Sequence, residues 1–140
     1  MKKVIAILVM LSVSAFAGIK EDVSKTINMH FEGIETGKVE LLEKAWAADQ
    51  AQISEIKSGK VIKHDTKKTF TLWTKGKNPD LNGKIISVTE VTPNLAVAKV
   101  SLNWKGSTFT DVLTVTKTKS GWKIISKTYV APKRASSYGI

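Results

Sequence analysis

The sequence predicts an α+β domain in which N-terminal helices cover one face of a strongly bent antiparallel sheet, and three observations carry that prediction. The last third of the chain alternates apolar and polar residues in three runs: Ala96, Ala98, Val100, Leu102, Trp104; then Phe109, Leu113, Val115; then Trp122 and Ile124 with Val130. A period of two places one set of side chains on one sheet face, which is the signature of half-buried strands. The links between the runs, Lys105-Gly106 and Lys119-Ser120-Gly121, are short and carry glycine. Such links read as hairpin turns, because glycine reaches positive φ without a steric penalty. The N-terminal third instead spaces its apolar residues by three and four, so it supplies the helices that cover the meander.

The elements follow in order. Gly18 to Thr36 places Ile19, Val23, Ile27, Phe31 and Ile34 on one stripe with His30 among them, and Gly37 ends this amphipathic helix in the position of a C′ glycine. Val39 to Trp46 forms a second, shorter helix. Ala51 to Ile56 and Lys60 to Ile62 flank Ser58-Gly59 as a small hairpin. Asp65 or Thr66 caps a third helix through Thr69, Phe70, Leu72 and Trp73, closed near Gly76 and Pro79. Asn82-Gly83 leads into a strand from Lys84 to Val91, and Pro93-Asn94 turns the chain into the three long strands.

The 140 residues are enough for one domain with a real core. Residues 1–17 have the grammar of a secretory signal peptide: Lys2 and Lys3, an apolar run from Val4 to Val13, then Ala15-Phe16-Ala17 before Gly18. The apolar run is short for a membrane span. The mature protein is expected to be cleaved after Ala17, to be secreted or periplasmic, and to have no stable membrane span. The domain then covers residues 18–131 and residues 132–140 form a flexible C-terminal tail without period.

Cysteine is absent, which excludes disulfides, thiolate catalysis and thiolate metal sites. The net charge of +10 is unevenly placed. From 18 to 56 there are 4 lysines against 8 acidic residues, and from 57 to 134 there are 16 basic residues against 4 acidic ones. A basic face recruits anions, yet every basic residue except Arg134 is lysine. Lysine lacks the planar fork that grips phosphate, and exposed strand lysine guards against edge-to-edge pairing, so nucleic acid is not an expected partner. Two histidines and scattered acids supply no metal-ligand set, and the chain has no Gly-rich phosphate loop, G-x-S-x-G elbow or H-E-x-x-H motif. Neither a metal nor a cofactor is expected.

The stretch Phe31-Glu32-Gly33-Ile34-Glu35-Thr36-Gly37-Lys38, followed by a Leu-rich helix, and the closing Gly121-Trp122-Lys123-Ile124 turn with Lys127 beyond it resemble the bacterial group called putative lumazine-binding proteins. The element order resembles the wider nuclear transport factor 2-like superfamily, whose cone-shaped fold is shared by ketosteroid isomerase and scytalone dehydratase. The resemblance implies a pocket between the first helix, the third helix and the concave sheet face. It also implies homodimerisation through the outer sheet face. It does not imply one activity, because this fold hosts enzymes, ligand binders and interaction modules.

Polar and aromatic residues aimed at that face are therefore the candidates. Asp111 alternates in phase with Phe109, Leu113 and Val115, which puts a carboxylate on an apolar stripe where it could act as a general base. His30 lies on the buried face of its helix, as a core residue or as an orienting donor. His64 adjoins Asp65, whose better use is as a helix cap. Trp73 and Trp104 can stack a flat ligand, while Trp46 and Trp122 read as packing residues. The expected ligand-binding set is His30, Phe31, Phe70, Trp73, Trp104, Phe109 and Asp111, receiving a small apolar or aromatic molecule in a non-catalytic domain or serving as an interaction module. The alternative is an isomerase or dehydratase with Asp111 as base and His30 as its partner. Tyr129 and Tyr138 come late in the chain and are not counted among the polar partners of such an enzyme. A third possibility is a filled cone in which His30 and Asp111 bond only to the protein.

Overall fold

The computed structural model describes residues 2–132, with side chains from Gly18 to Pro132. The order is α1 (Lys2–Thr36), α2 (Val39–Ala45), β1 (Gln52–Lys57), β2 (Lys60–His64), α3 (Thr66–Trp73), β3 (Asn82–Thr92), β4 (Leu95–Trp104), β5 (Ser107–Thr118) and β6 (Gly121–Val130). The helix expected from Gly18 thus begins earlier, at Lys2. The tail expected at 132–140 lies, beyond Pro132, outside the described residues.

Local chemistry sets the element ends. Gly37 takes φ of 68°, so the Lys38 N–H reaches the Gly33 carbonyl at 2.9 Å and the Gly37 N–H reaches Ile34 at 3.3 Å. This paired closure stops α1 and turns the chain straight into α2. Of the two cap candidates, Asp65 is the one used: its Oδ1 accepts from the Lys68 N–H at 2.8 Å. The tight turns Ser58-Gly59 and Lys105-Gly106 have positive φ at both central residues, which matches the twist of a two-residue hairpin.

The six strands form one sheet in the order β2-β1-β6-β5-β4-β3. All neighbours are antiparallel except β1 and β6, which pair in parallel through Gln52↔Ser126 to Ile56↔Val130. That pairing brings the short hairpin beside the last strand. The route β2, α3, β3 then carries the chain to the opposite edge.

α1 lies across the concave face with Val23, Ile27, Phe31 and Ile34 buried against Ala96, Ala98, Val100, Leu102, Leu113 and Val115. Thr26 Oγ1 ties α1 to β6 by donating to the Trp122 carbonyl at 3.2 Å. Asn78, after α3, joins three elements. Its Nδ2 donates to the Ile34 carbonyl at 2.8 Å and to the Trp73 carbonyl at 3.0 Å, and its Oδ1 accepts from Trp104 Nε1 at 3.2 Å.

One departure from simple alternation controls the interior. Between β5 and β6 the register passes from Thr114↔Ser126 to Val115↔Ile124, leaving Ile125 as an extra residue in β6. A bulge of this kind flips the facing of everything after it. Trp122 and Ile124 face the core as expected, but Lys127 becomes buried in their place and Val130 is 60% exposed. The expected grouping of Val130 with Trp122 and Ile124 is corrected for that reason.

Candidate functional site

The site begins on α1, whose stripe buries His30 to 1% exposure. Its imidazole meets the rings of Trp46, Trp73 and Phe31 at centroid distances of 5.4, 5.6 and 5.6 Å. Trp46 Nε1 donates to His30 Nδ1 at 3.2 Å. An indole N–H only donates, so Nδ1 carries no proton and the neutral ring holds its hydrogen on Nε2. Burial first, and the Lys127 charge second, hold the His30 pKa well below 6.5, because both disfavour a second positive charge. His30 Nε2 is buried and has no hydrogen-bond partner among the described residues.

The opposite wall comes from three adjacent strands. In one cross-strand row Asp111 of β5 stands beside Tyr129 of β6, which stands beside Glu55 of β1. In the next row Leu113, Lys127, Ile53 and His64 follow one another across β5, β6, β1 and β2. Lys127 Nζ lies 2.8 Å from Asp111 Oδ2, with side chains only 5% and 1% exposed. The contact is an ion pair rather than an aligned hydrogen bond, since neither Asp111 oxygen has a hydrogen-bond partner among the described residues. Lys127 Nζ also lies over the Trp73 ring at 4.7 Å and over the Tyr129 ring at 5.4 Å. The ring faces and the carboxylate together offset the desolvation of the ammonium.

Tyr129 is half-buried, and its phenol is pushed up to about 12 by burial first, then by the charges of Glu55 and Asp111. It stays protonated and packs edge-on against Phe109 at 6.0 Å. Farther out on this wall, His64 Nε2 contacts Glu55 Oε2 at 2.9 Å, with the two side chains 34% and 18% exposed.

The expected site residues divide into two groups. His30, Phe70 and Trp73 gather around Trp46, with Trp46 and Phe70 at 5.4 Å and Phe70 stacked on Trp73 at 6.0 Å. Asp111 and Phe109 gather around Lys127 and Tyr129, and Lys127 joins the groups through Trp73. Of the remaining two, Phe31 touches the first group through His30 and also reaches β3, and Trp104 stands apart. The Phe31 ring lies on β3, where a Cβ added to Gly83 would come within 2.5 Å of its Cγ. Trp104 sits at the end of β4, bonded to Asn78 and with Lys105 Nζ 4.8 Å from its ring. His30 and Asp111 share no hydrogen bond; the close partner of Asp111 is Lys127.

Trp46, Lys127, Tyr129 and the Glu55–His64 pair are the members that residue patterns alone missed. Lys127 stood in the closing motif, but its facing depends on the bulge at Ile125, which no local residue announces. Among the described residues, no three His, Asp or Glu side chains converge to hold a metal ion. Nor is any described helix long and apolar enough to cross a membrane.

The fold is that of several solved proteins. A nuclear transport factor 2-like protein of unknown function from Silicibacter pomeroyi superposes with a TM-score of 0.73 at 20% identity, covering 84% of this chain and 98% of that one. A similar protein of unknown function from Shewanella baltica gives 0.73 at 18% identity, covering 84% and 96%. A protein from Streptomyces avermitilis described as a "putative dehydratase" of the same fold gives 0.61 at 19% identity, covering 82% and 96%. At such identities the likeness establishes the fold alone. No curated protein matches the chain. The model of the family described as "Putative lumazine-binding" matches residues 19–130. With the cone fold and that match along nearly the whole described domain, the chain belongs to this family of the nuclear transport factor 2-like superfamily.

Proposed function

We propose that this protein is an exported, non-catalytic domain that binds a small aromatic molecule inside its cone. One observation carries the reading. A donor, His30 Nε2–H beside the Trp73 ring, and an acceptor, Asp111 Oδ1 on the sheet wall, are both buried without hydrogen-bond partners among the described residues. Unpaired buried polar groups are costly, and a ligand that pairs with them recovers that cost. Aromatic walls with a few placed polar groups are the usual lining of a small-molecule site. The family's description points to a ligand of the same flat, aromatic kind.

Native mass spectrometry of the protein purified from its own host tests this directly. A retained small molecule that is lost from an Asp111→Asn, His30→Phe variant supports the reading. A bare chain that gives no tryptophan fluorescence change with any aromatic probe overturns it. The same spectrum tests export, since a mass beginning at Gly18 is expected. It also tests dimerisation through the outer sheet face, where Val112 and Val130 are exposed.

An isomerase or dehydratase would use the same two unpartnered atoms, His30 Nε2–H to orient a substrate and Asp111 Oδ1 to take a proton. The binding reading is preferred because the Lys127 ammonium already holds the other Asp111 oxygen at 2.8 Å.

A further inference from the structure

We infer that the outer face of the sheet is a docking surface for an anionic phospholipid bilayer, held there by charge. Nothing in the interior takes part.

The strand registers assign the side chains of that face. The row Lys63, Ser54, Thr128, Val112, Lys99 and Ser87 crosses all six strands from β2 to β3. It lies one step from the buried row of Ile53, Lys127 and Leu113, so it points away from the helices. Lys84 stands on the same outer side, opposite Ser101. Lys63, Lys84 and Lys99 are exposed, and none has a carboxylate partner among the described residues.

The acidic residues go the other way. The strands carry three carboxylates, Glu55, Glu90 and Asp111. Glu55 and Asp111 flank Tyr129 in an inward row, and Glu90 is opposite the fully buried Ala96. The outer face therefore holds lysine and no acid. Exposed Glu32 and Glu35 belong to α1, which covers the opposite face, and exposed Glu40 and Glu43 belong to α2, packed against α1. The domain is thus polarised across its thickness, and a negative surface attracts one side while repelling the other.

Guarding the sheet edges does not account for this arrangement. Lys63 and Lys84 lie on the edge strands β2 and β3, but Lys99 lies on β4, which has a neighbour on each side.

Side-chain chemistry selects the partner. Protein interfaces are rich in tyrosine, tryptophan, methionine and arginine and poor in lysine. Here Trp104, Phe109, Trp122 and Tyr129 all alternate with the inward set, leaving no aromatic ring, methionine or arginine on the outer side of the strands. A second copy placed face to face would also set lysine against lysine. Nucleic acid is gripped by arginine forks and stacked on aromatic rings, which this face lacks. A fluid bilayer asks only for positive point charges, each lysine near the surface strengthening adsorption about fivefold. The attraction acts over about 8 Å at physiological salt, so a bent face need not touch the lipid along its whole width.

Co-sedimentation with vesicles tests the assignment, using phosphatidylglycerol mixed with phosphatidylcholine against phosphatidylcholine alone. Wild-type protein is expected on the mixed vesicles only, and should be released as salt rises. Lys63→Gln, Lys84→Gln and Lys99→Gln together should weaken adsorption on the order of a hundredfold. The same charge removed from the helical side, as Lys20→Gln, Lys25→Gln and Lys38→Gln, should change it less than about threefold. All of these positions are exposed, so both variants should fold. Equal losses in the two triple variants, or equal binding to phosphatidylcholine alone, overturn the inference. Two rival occupants would overturn it as well. Duplex DNA that holds the protein at a salt concentration that frees it from the vesicles would make the face a nucleic-acid surface. A dimer that buries Lys99 and ignores the vesicles would make it a contact between copies.

Discussion

Lys127 and Asp111 face each other from neighbouring strands as a buried ion pair, Nζ to Oδ2 at 2.8 Å, one step out of direct register. Because both charges have left water, either one is tolerated only while the other is present. Asp111→Ala or Lys127→Met is therefore expected to cost about 3–5 kcal/mol in urea unfolding. The double replacement Asp111→Leu with Lys127→Met should cost less than either single one. Equal and additive losses would show that the two charges are not coupled.

The buried neutral His30 makes stability depend on pH in one direction. Its folded pKa lies well below the value near 6.5 of an unfolded histidine. Above pH 6.5 the ring is neutral in both states and its contribution is fully present. As the pH falls below that value the unfolded chain gains a proton that the native state refuses. Stability should then drop by up to about 1.4 kcal/mol per pH unit toward the folded pKa. Denaturation curves between pH 7 and 5 should show a shallower fall for His30→Phe than for the wild type.

Tyr129 titrates in the opposite range. With its phenol pushed up to about 12, it should ionise later than an ordinary tyrosine in an absorbance titration at alkaline pH. Tyr129→Phe should remove the later step. The unfolded chain releases this proton near pH 10, so stability is lost as the pH rises past 10 toward 12. A single tyrosine transition near 10 in the wild type would contradict the burial and the carboxylate neighbours assigned to it.

Gly83 allows β3 to pass beneath α1. A Cβ there would lie 2.5 to 2.7 Å from three carbons of the Phe31 ring, closer than any packing tolerates. Gly83→Ala should destabilise by about 1–3 kcal/mol, and the loss should shrink in a Phe31→Leu background if the clash is the cause. Thermal unfolding of the four proteins in that cycle measures the coupling.

The elements themselves were legible because their causes are local. A stripe at spacing three and four, the positive φ available to Gly37, the Asp65 side chain at a helix start and the alternation along β4 and β5 each depend on a few neighbouring residues. His30 and Asp111 were readable as buried polar groups for the same reason, since each sits in phase with an apolar stripe on an unbroken element. The element order, the burial of those two residues and the cone fold were thus contained in the sequence taken by itself. What surrounds His30 and Asp111 was decided only in three dimensions. Trp46 meets His30 because α2 folds back on α1, and the parallel pairing of β1 with β6 places Glu55 beside Tyr129. Lys127 faces inward because one extra residue at Ile125 reverses the side-chain order of β6. A one-residue slip exchanges the two faces of a strand, and the energy that selects the register comes from partners distant in sequence, so no local pattern could reveal that the aspartate would meet a lysine.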